Sequence, residues 1–181
     1  MKAQDCLAEG ILATKSLAAR YFTGFSDDNR TRQAPSLPNH FAWNLGHLAI
    51  TMHRATERLQ GAQASGPLPP EDFIEGGTKS GGGDANRFAS ESVSFGSAPT
   101  DDPAHYPRFD RCIQIFNNAC DRLAAAVRAL PDSDLTTEVP WGMGMKITKH
   151  LMAQRMVFHN GDHVGQICDL RRAFGFPSAF S

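Results

Sequence analysis

The sequence predicts an all-α protein, a four-helix bundle with a long Gly/Ser/Pro-rich loop between its second and third helices. Four segments carry apolar residues at alternating steps of three and four. No segment alternates convincingly between apolar and polar residues, as a half-buried strand would. The 181 residues suit one domain, 1–181, with a core of its own. Amphipathic helices in a chain of that size bury their apolar faces against one another.

The first helix is predicted over residues 2–22, with Leu7, Ile11, Thr14, Ala18 and Tyr21 on one stripe. The polar run "SDDNRTRQAPSLPN" ends it. Pro38 and Asn39 open a second helix over 39–60, where Leu45, Leu48, Met52, Ala55 and Leu59 align and Gly61 stops the helix. Residues 61–106 hold no period. A loop of that length inside a compact domain is functional or mobile. Its fragment "GGTKS" lacks the spacing of a phosphate-binding loop, and no strand precedes it. The part from Gly76 to Ala98 is expected to pack through local turns, without a helix of its own. It is long enough to fold back over an end of the bundle and wall a pocket. The third helix, 107–130, presents Phe109, Cys112, Ile113, Phe116, Cys120, Leu123, Val127 and Leu130 on one face. "PDSDL" breaks it. After "VPWGMGM" the fourth runs over 146–174 and stops at Gly175, with Pro177 beyond.

Lys and Arg number 18 against 19 acidic residues, a net charge of −1. That balance provides no global field for gathering nucleic acid or an anionic membrane. The opening residues are broken by Asp5, Glu9, Lys15 and Arg20, unlike a signal peptide, and no run reaches membrane-spanning length. A cytoplasmic protein is expected. Cys6, Cys112, Cys120 and Cys168 are scattered, form no CxxC pair, and are expected as reduced core thiols.

The chemistry concentrates in "VFHNGDHVGQICDLRRAFG", residues 157–175. His159 and His163 fall on the stripe of Met152, Met156, Ile167, Leu170 and Phe174, inside the apolar face. At i and i+4 two imidazoles stand one above the other and can reach one cation. A third ligand must come from His40, His47, His53, His105 or His150. His47 is the best placed, one position off the main stripe of the second helix and in line with Trp43 and Ile50. Its plain alternative is a core-edge histidine packed on Trp43. His53 lies on a more polar side with Glu57, and His150 is more than two turns from His159.

Three stretches, "NHFAWNLGHLA", "YPRFDRCIQIFNNACDRLAAAV" and "HNGDHVGQICDLRRAFGFP", together resemble the DinB-like (DNA-damage-inducible) superfamily. The resemblance spans helices two to four and, more weakly, helix one. It implies a four-helix bundle in which three histidines hold a metal: here His47 from the GH-L-type segment, with His159 and His163 from HxxxHxGQI. Gln166 and Ile167 fit the GQI element; Arg171, Arg172 and Gly175 fit the "LRRxxG" continuation. The chain departs from the usual pattern by placing Asn160, Gly161 and Asp162 between the last two ligands.

Three histidines without a carboxylate leave coordination positions open, the ligand count of a catalytic site. The expected cofactor is one divalent ion, Zn²⁺ or Ni²⁺ first and Fe²⁺ or Mn²⁺ after them. With what the resemblance implies, the leading expectation is a metalloenzyme that activates water or a thiol for hydrolysis or thiol transfer on a small molecule, a low-molecular-weight thiol among the substrates. The alternative is a noncatalytic stress-response or interaction module whose metal only ties helices two and four together. The resemblance also implies a homodimer. Around the ion, Trp43, Gln166 and Gly161 are the candidate pocket or supporting residues. Gln166 either orients His163 or makes an interhelical hydrogen bond. Gly161, with Gly165, serves close packing against a neighbouring helix or a dimer partner, or else leaves room for substrate. No general base is evident, and Asp162 points about 100° away from His163 on the helix.

Overall fold

The computed structural model describes residues 1–62, 66–142 and 144–180. Four helices form the bundle: α1 (Ala3–Tyr21), α2 (Phe41–Leu59), α3 (Phe109–Arg128) and α4 (Lys149–Ala173). No helix among the described residues is long and apolar enough to cross a membrane.

Each helix forms where its apolar stripe finds a neighbour. Ala8, Ile11 and Ala18 bury the inner face of α1, while α3 contributes Cys112, Ile115, Phe116, Ala119, Leu123 and Val127. The opening of α2 is different. From Phe41 to Ile50 every residue is buried, the polar ones included. A bundle helix with one apolar stripe would leave its back exposed, so something else covers α2.

That cover is the long loop. It carries two short parallel strands, β1 (Phe73–Ile74) and β2 (Phe88–Ala89), and 3-10 turns at Glu91–Val93 and Pro103–His105. It lies along the flank of α2, not over an end of the bundle. Gly46 makes this approach possible: a Cβ there would stand 2.7 Å from Val93 Cγ1 and 2.8 Å from Phe88 Cδ1, too close for any other residue. The loop is fastened to the bundle by Asp72. This fully buried carboxylate accepts hydrogen bonds from Arg111 (2.9 Å) and Arg122 (3.0 Å) of α3.

The fourth predicted helix begins too early. Residues before Lys149 form an antiparallel hairpin, β3 (Glu138–Gly142) with β4 (Met145–Thr148), pairing Val139 with Ile147. Strands of five and four residues are too short to show a period of two, and Pro140 breaks the strand signal. The remaining helix bounds shift inward by one or two residues. The N-cap of α2 is His40, one position after the expected Asn39: its Nδ1 accepts from Trp43 N–H at 3.0 Å, and its Nε2–H donates to the Thr100 carbonyl at 3.0 Å.

The cysteines are all free. Cys112 and Cys120 are core thiols whose ionisation burial suppresses. Cys6 is exposed and Cys168 half-buried, so the expectation of core placement fails for these two.

Candidate metal centre

His47 projects from the buried flank of α2, and His159 and His163 project from α4 across the interface. One potential ligand atom from each lies within 4.8 Å of the others. Ring centroids are 5.2 Å apart for His47–His159, 4.8 Å for His47–His163 and 4.7 Å for His159–His163. No other His, Cys, Asp or Glu among the described residues joins the group.

Two of the rings are held by their outer nitrogens. His47 Nδ1–H donates to the Val93 carbonyl at 2.8 Å, which is a contribution of the loop. His163 Nδ1 lies 2.7 Å from Asn44 Oδ1. The Asn44 amide nitrogen is already spent on the His40 carbonyl at 3.0 Å, so its oxygen accepts and His163 Nδ1 donates. In both rings the proton sits on Nδ1 and the Nε2 lone pair is free, the tautomer that an inner-sphere ligand needs. Trp43 stacks on His47 at 4.7 Å with an interplanar angle of 8°. Its own Nε1–H is anchored to Ser97 Oγ at 2.8 Å. Among the described residues His159 has no hydrogen-bond partner, and its Nδ1 is a buried nitrogen left unpaired.

Electrostatics favours neutral imidazoles. Burial pushes His159 down to about 4 and His163 to about 3, and the neighbouring imidazoles push both the same way. Burial lowers His47 too, against the opposing pull of the Val93 carbonyl. Three unprotonated rings pointing at one another, one with an orphaned buried nitrogen, suit a shared cation better than one another's company.

A cavity of about 640 Å³ opens beside His47 and His159. It runs from them along α2 past Thr51 toward Arg54 and Arg58, with Trp141 of the hairpin and Phe95 of the loop at its sides. The loop thus supplies the Val93 hydrogen bond and part of the wall.

The family follows from the same stretch of chain. The DinB superfamily profile matches residues 12–167, covering all three histidines. The chain belongs to the DinB superfamily. Among curated proteins no relative matches it.

The other histidines of this DinB-superfamily chain stand apart from the cluster. His40 caps α2, His53 faces Glu57 at 3.8 Å, His105 accepts from Gly82 N–H at 3.2 Å, and His150 lies 3.1 Å from the Leu135 carbonyl. Gln166 Oε1 accepts from Asn39 at 2.9 Å, the interhelical bond weighed above, which ties the start of α2 to α4. Asp162 is exposed and lies 3.4 Å from Gln166 Nε2.

Gly161 lies on an exposed face of α4, where a Cβ would meet nothing within 4 Å, and Gly165 is the same. Packing within the bundle therefore does not require it, and it does not line the cavity beside His47 and His159. We expect Gly161→Ala to stabilise the protein by about 0.5–1 kcal/mol, since a mid-helix glycine costs that much. Zinc uptake should be unchanged. Urea unfolding would show the gain, and a loss of stability there would mean that a second copy covers this face.

Sequence reasoning missed Asn44, Val93 and Trp141. Val93 acts through its backbone carbonyl, which no side-chain pattern reveals. Asn44 carried a usable signal: it sits one turn before Leu48 on a buried face, and a buried amide needs a partner.

Proposed function

We propose that this protein is a metal-dependent enzyme acting on a small molecule, in which His47, His159 and His163 hold one divalent ion, zinc or nickel before iron or manganese. The observation that carries the reading is a group of three inward-facing neutral imidazoles beside an open cavity, with no fourth protein ligand among the described residues. A structural site closes with four protein ligands and needs no cavity.

When bound, such an ion supplies Lewis acidity, lowering the pKa of a coordinated water or thiol and polarising a carbonyl. The chain's own contribution is orientation. The Val93 carbonyl and Asn44 fix the tautomers of His47 and His163, and Trp43 prevents His47 from turning. Buried Met152 and Met156 make the wall beside the reacting end apolar. Hydrolysis and thiol transfer both fit this arrangement, and a low-molecular-weight thiol is one candidate substrate. By family analogy the active form is a homodimer.

The competing reading, a module whose ion only ties α2 to α4, is favoured by the way the cluster bridges those two helices. One experiment separates the two. Protein purified without a His-tag should contain about one divalent ion per chain, and the loaded form should turn over a member of a panel of thiols with electrophiles, esters and amides. An ion that raises Tm with no turnover across the panel would favour the module. Protein that neither retains nor takes up zinc or nickel would remove both.

A further inference from the structure

Beside the histidines the cavity gathers positive charge that no carboxylate among the described residues neutralises. Arg54 and Arg58 of α2 and Arg155 of α4 all line it, and no aspartate or glutamate does. Among the described residues none of the three pairs with a carboxylate. Arg58 donates to the Ala62 carbonyl at 3.2 Å, and Arg155 lies over the Trp141 ring with its Cζ 5.3 Å from the centroid. Some other cations are matched, Arg111 and Arg122 on Asp72, Lys149 on Asp134 and Arg87 on Asp84, while Arg20 and Arg32 lie over aromatic rings and Arg171 on carbonyls; what distinguishes Arg54, Arg58 and Arg155 is that they share one cavity.

Three like charges around one concavity repel one another, and apolar walls reduce the screening that water would provide. The walls here are apolar indeed. Trp141, Met152, Met156 and Phe158 line the same space. Phe158 is 77% exposed and Phe95, opposite, is 94% exposed. Large aromatic groups held in water beside unpaired guanidinium groups are a poor arrangement for a bare surface and a good one for an amphipathic anion.

We propose that the substrate is a small organic anion. Its carboxylate or phosphate group sits on Arg54, Arg58 and Arg155, its apolar body lies against Trp141 and Phe158, and its reacting end points toward His47 and His159. The assignment rests on reading the three histidines as the reaction centre. Position along the helices sets the length of the ligand. Arg155 stands four residues from His159, and Arg54 and Arg58 stand seven and eleven from His47, so the backbones that carry anion seat and reacting end are roughly 6–17 Å apart along the helix axes. Guanidinium groups suit the task because their planar donors match a carboxylate or phosphate bidentately.

The test uses two fluorescent probes of one ring system, 1-anilinonaphthalene-8-sulfonate and the uncharged N-phenyl-1-naphthylamine, with zinc-supplied full-length protein. The wild type should bind the sulfonate about 10-fold or more tightly than the neutral probe, as charge-assisted bonds to arginine imply. The triple change Arg54→Gln, Arg58→Gln, Arg155→Gln should weaken sulfonate binding by about 10-fold or more on the same basis, while neutral-probe binding stays within about 2-fold. The corresponding triple Lys variant should recover most of the sulfonate affinity, which a collapsed cavity would not. Phenyl phosphate and phenylacetate, used as competitors, distinguish the two anion classes by which displaces the sulfonate better. Equal binding of both probes to the wild type, equal weakening of both in the Gln variant, or displacement by neither competitor would overturn the proposal. Zinc titration of the same samples keeps the two readings separate. Zinc uptake without probe discrimination defeats the anion seat alone. Discrimination without zinc uptake defeats the metal centre and leaves the anion seat standing.

Discussion

Zinc uptake is expected to be lost in His163→Ala and to fall about 10–100-fold in Asn44→Leu, the range that follows loss of a group orienting a metal-bound histidine. The first change removes a ring whose Nε2 is free only because Asn44 holds its Nδ1 at 2.7 Å. The second leaves all three rings in place but unties that nitrogen, so His163 can adopt the wrong tautomer. The His40 carbonyl loses the side-chain amide at 3.0 Å but keeps the backbone N–H of residue 44 at 3.1 Å, so the group that Asn44→Leu leaves without its partner is the buried Nδ1–H of His163. A buried unsatisfied group costs about 1–3 kcal/mol, so some loss of stability in the metal-free protein is part of the expected result. Calorimetric titration reads the affinities directly. Thermal denaturation gives a second measure, because saturating zinc at about 100 times its dissociation constant should add about 2.7 kcal/mol to the wild type and nothing to His163→Ala. His53→Ala is the control, since His53 lies outside the cluster and faces Glu57. If Asn44→Leu took up zinc as tightly as the wild type, the orienting role given to Asn44 would be wrong. If His163→Ala did so, the site itself would be.

The bundle was legible because its signals are local. Ile11 and Ala18 in α1, or Phe116 and Leu123 in α3, repeat at helical spacing and are buried. The histidine pair was legible for the same reason: His159 and His163 lie one turn apart on a stripe whose other members, Met156 and Ile167, are core. His47 needed more. Its distance from the main stripe of α2 left it at the edge of the core, and the resemblance carried it to the cluster. The structure explains that off-stripe position, because the flank it occupies is covered by the loop, through Gly46 and Val93, and not by another helix.

What the sequence hid is contact between distant segments without periodicity. The β3–β4 hairpin is too short to alternate visibly, yet it brings Trp141 to the cavity. The loop has no period of its own, but Val93 and Ser97 fix His47 and Trp43 through single hydrogen bonds. The arginines read as ordinary solvated charge on helix surfaces. Only their convergence on one cavity, with no carboxylate among its lining residues, sets them apart.

Acid is expected to unfold the metal-free protein well before its carboxylates titrate, and His40 carries a separable part of the effect. This ring is fully buried and neutral, with burial pulling its pKa from the model-peptide 6.5 down to about 4 and the nearby Arg30 charge adding a smaller push in the same direction. Its Nδ1 must stay unprotonated to cap α2, since that atom accepts the Trp43 N–H. Above pH 6.5 the ring is neutral both folded and unfolded and imposes no penalty. Between pH 6.5 and about 4 the unfolded chain takes up the proton and the folded one does not, so stability falls as pH falls. Each pH unit across that window costs about 1.4 kcal/mol, close to 3 kcal/mol for His40 by its lower end. His47, His159 and His163 are shifted in the same direction and steepen the loss. His40→Asn isolates the contribution, because an asparagine carbonyl keeps a cap acceptor for Trp43 N–H and does not titrate. Urea unfolding of both metal-free proteins at pH 7.5, 6.0 and 4.5 is the measurement. The variant should start less stable, having lost the Thr100 bond, but decline by about 3 kcal/mol less than the wild type over that range. Parallel pH profiles would show that His40 binds a proton in the folded state as readily as in the unfolded one, and the neutral cap would have to be abandoned.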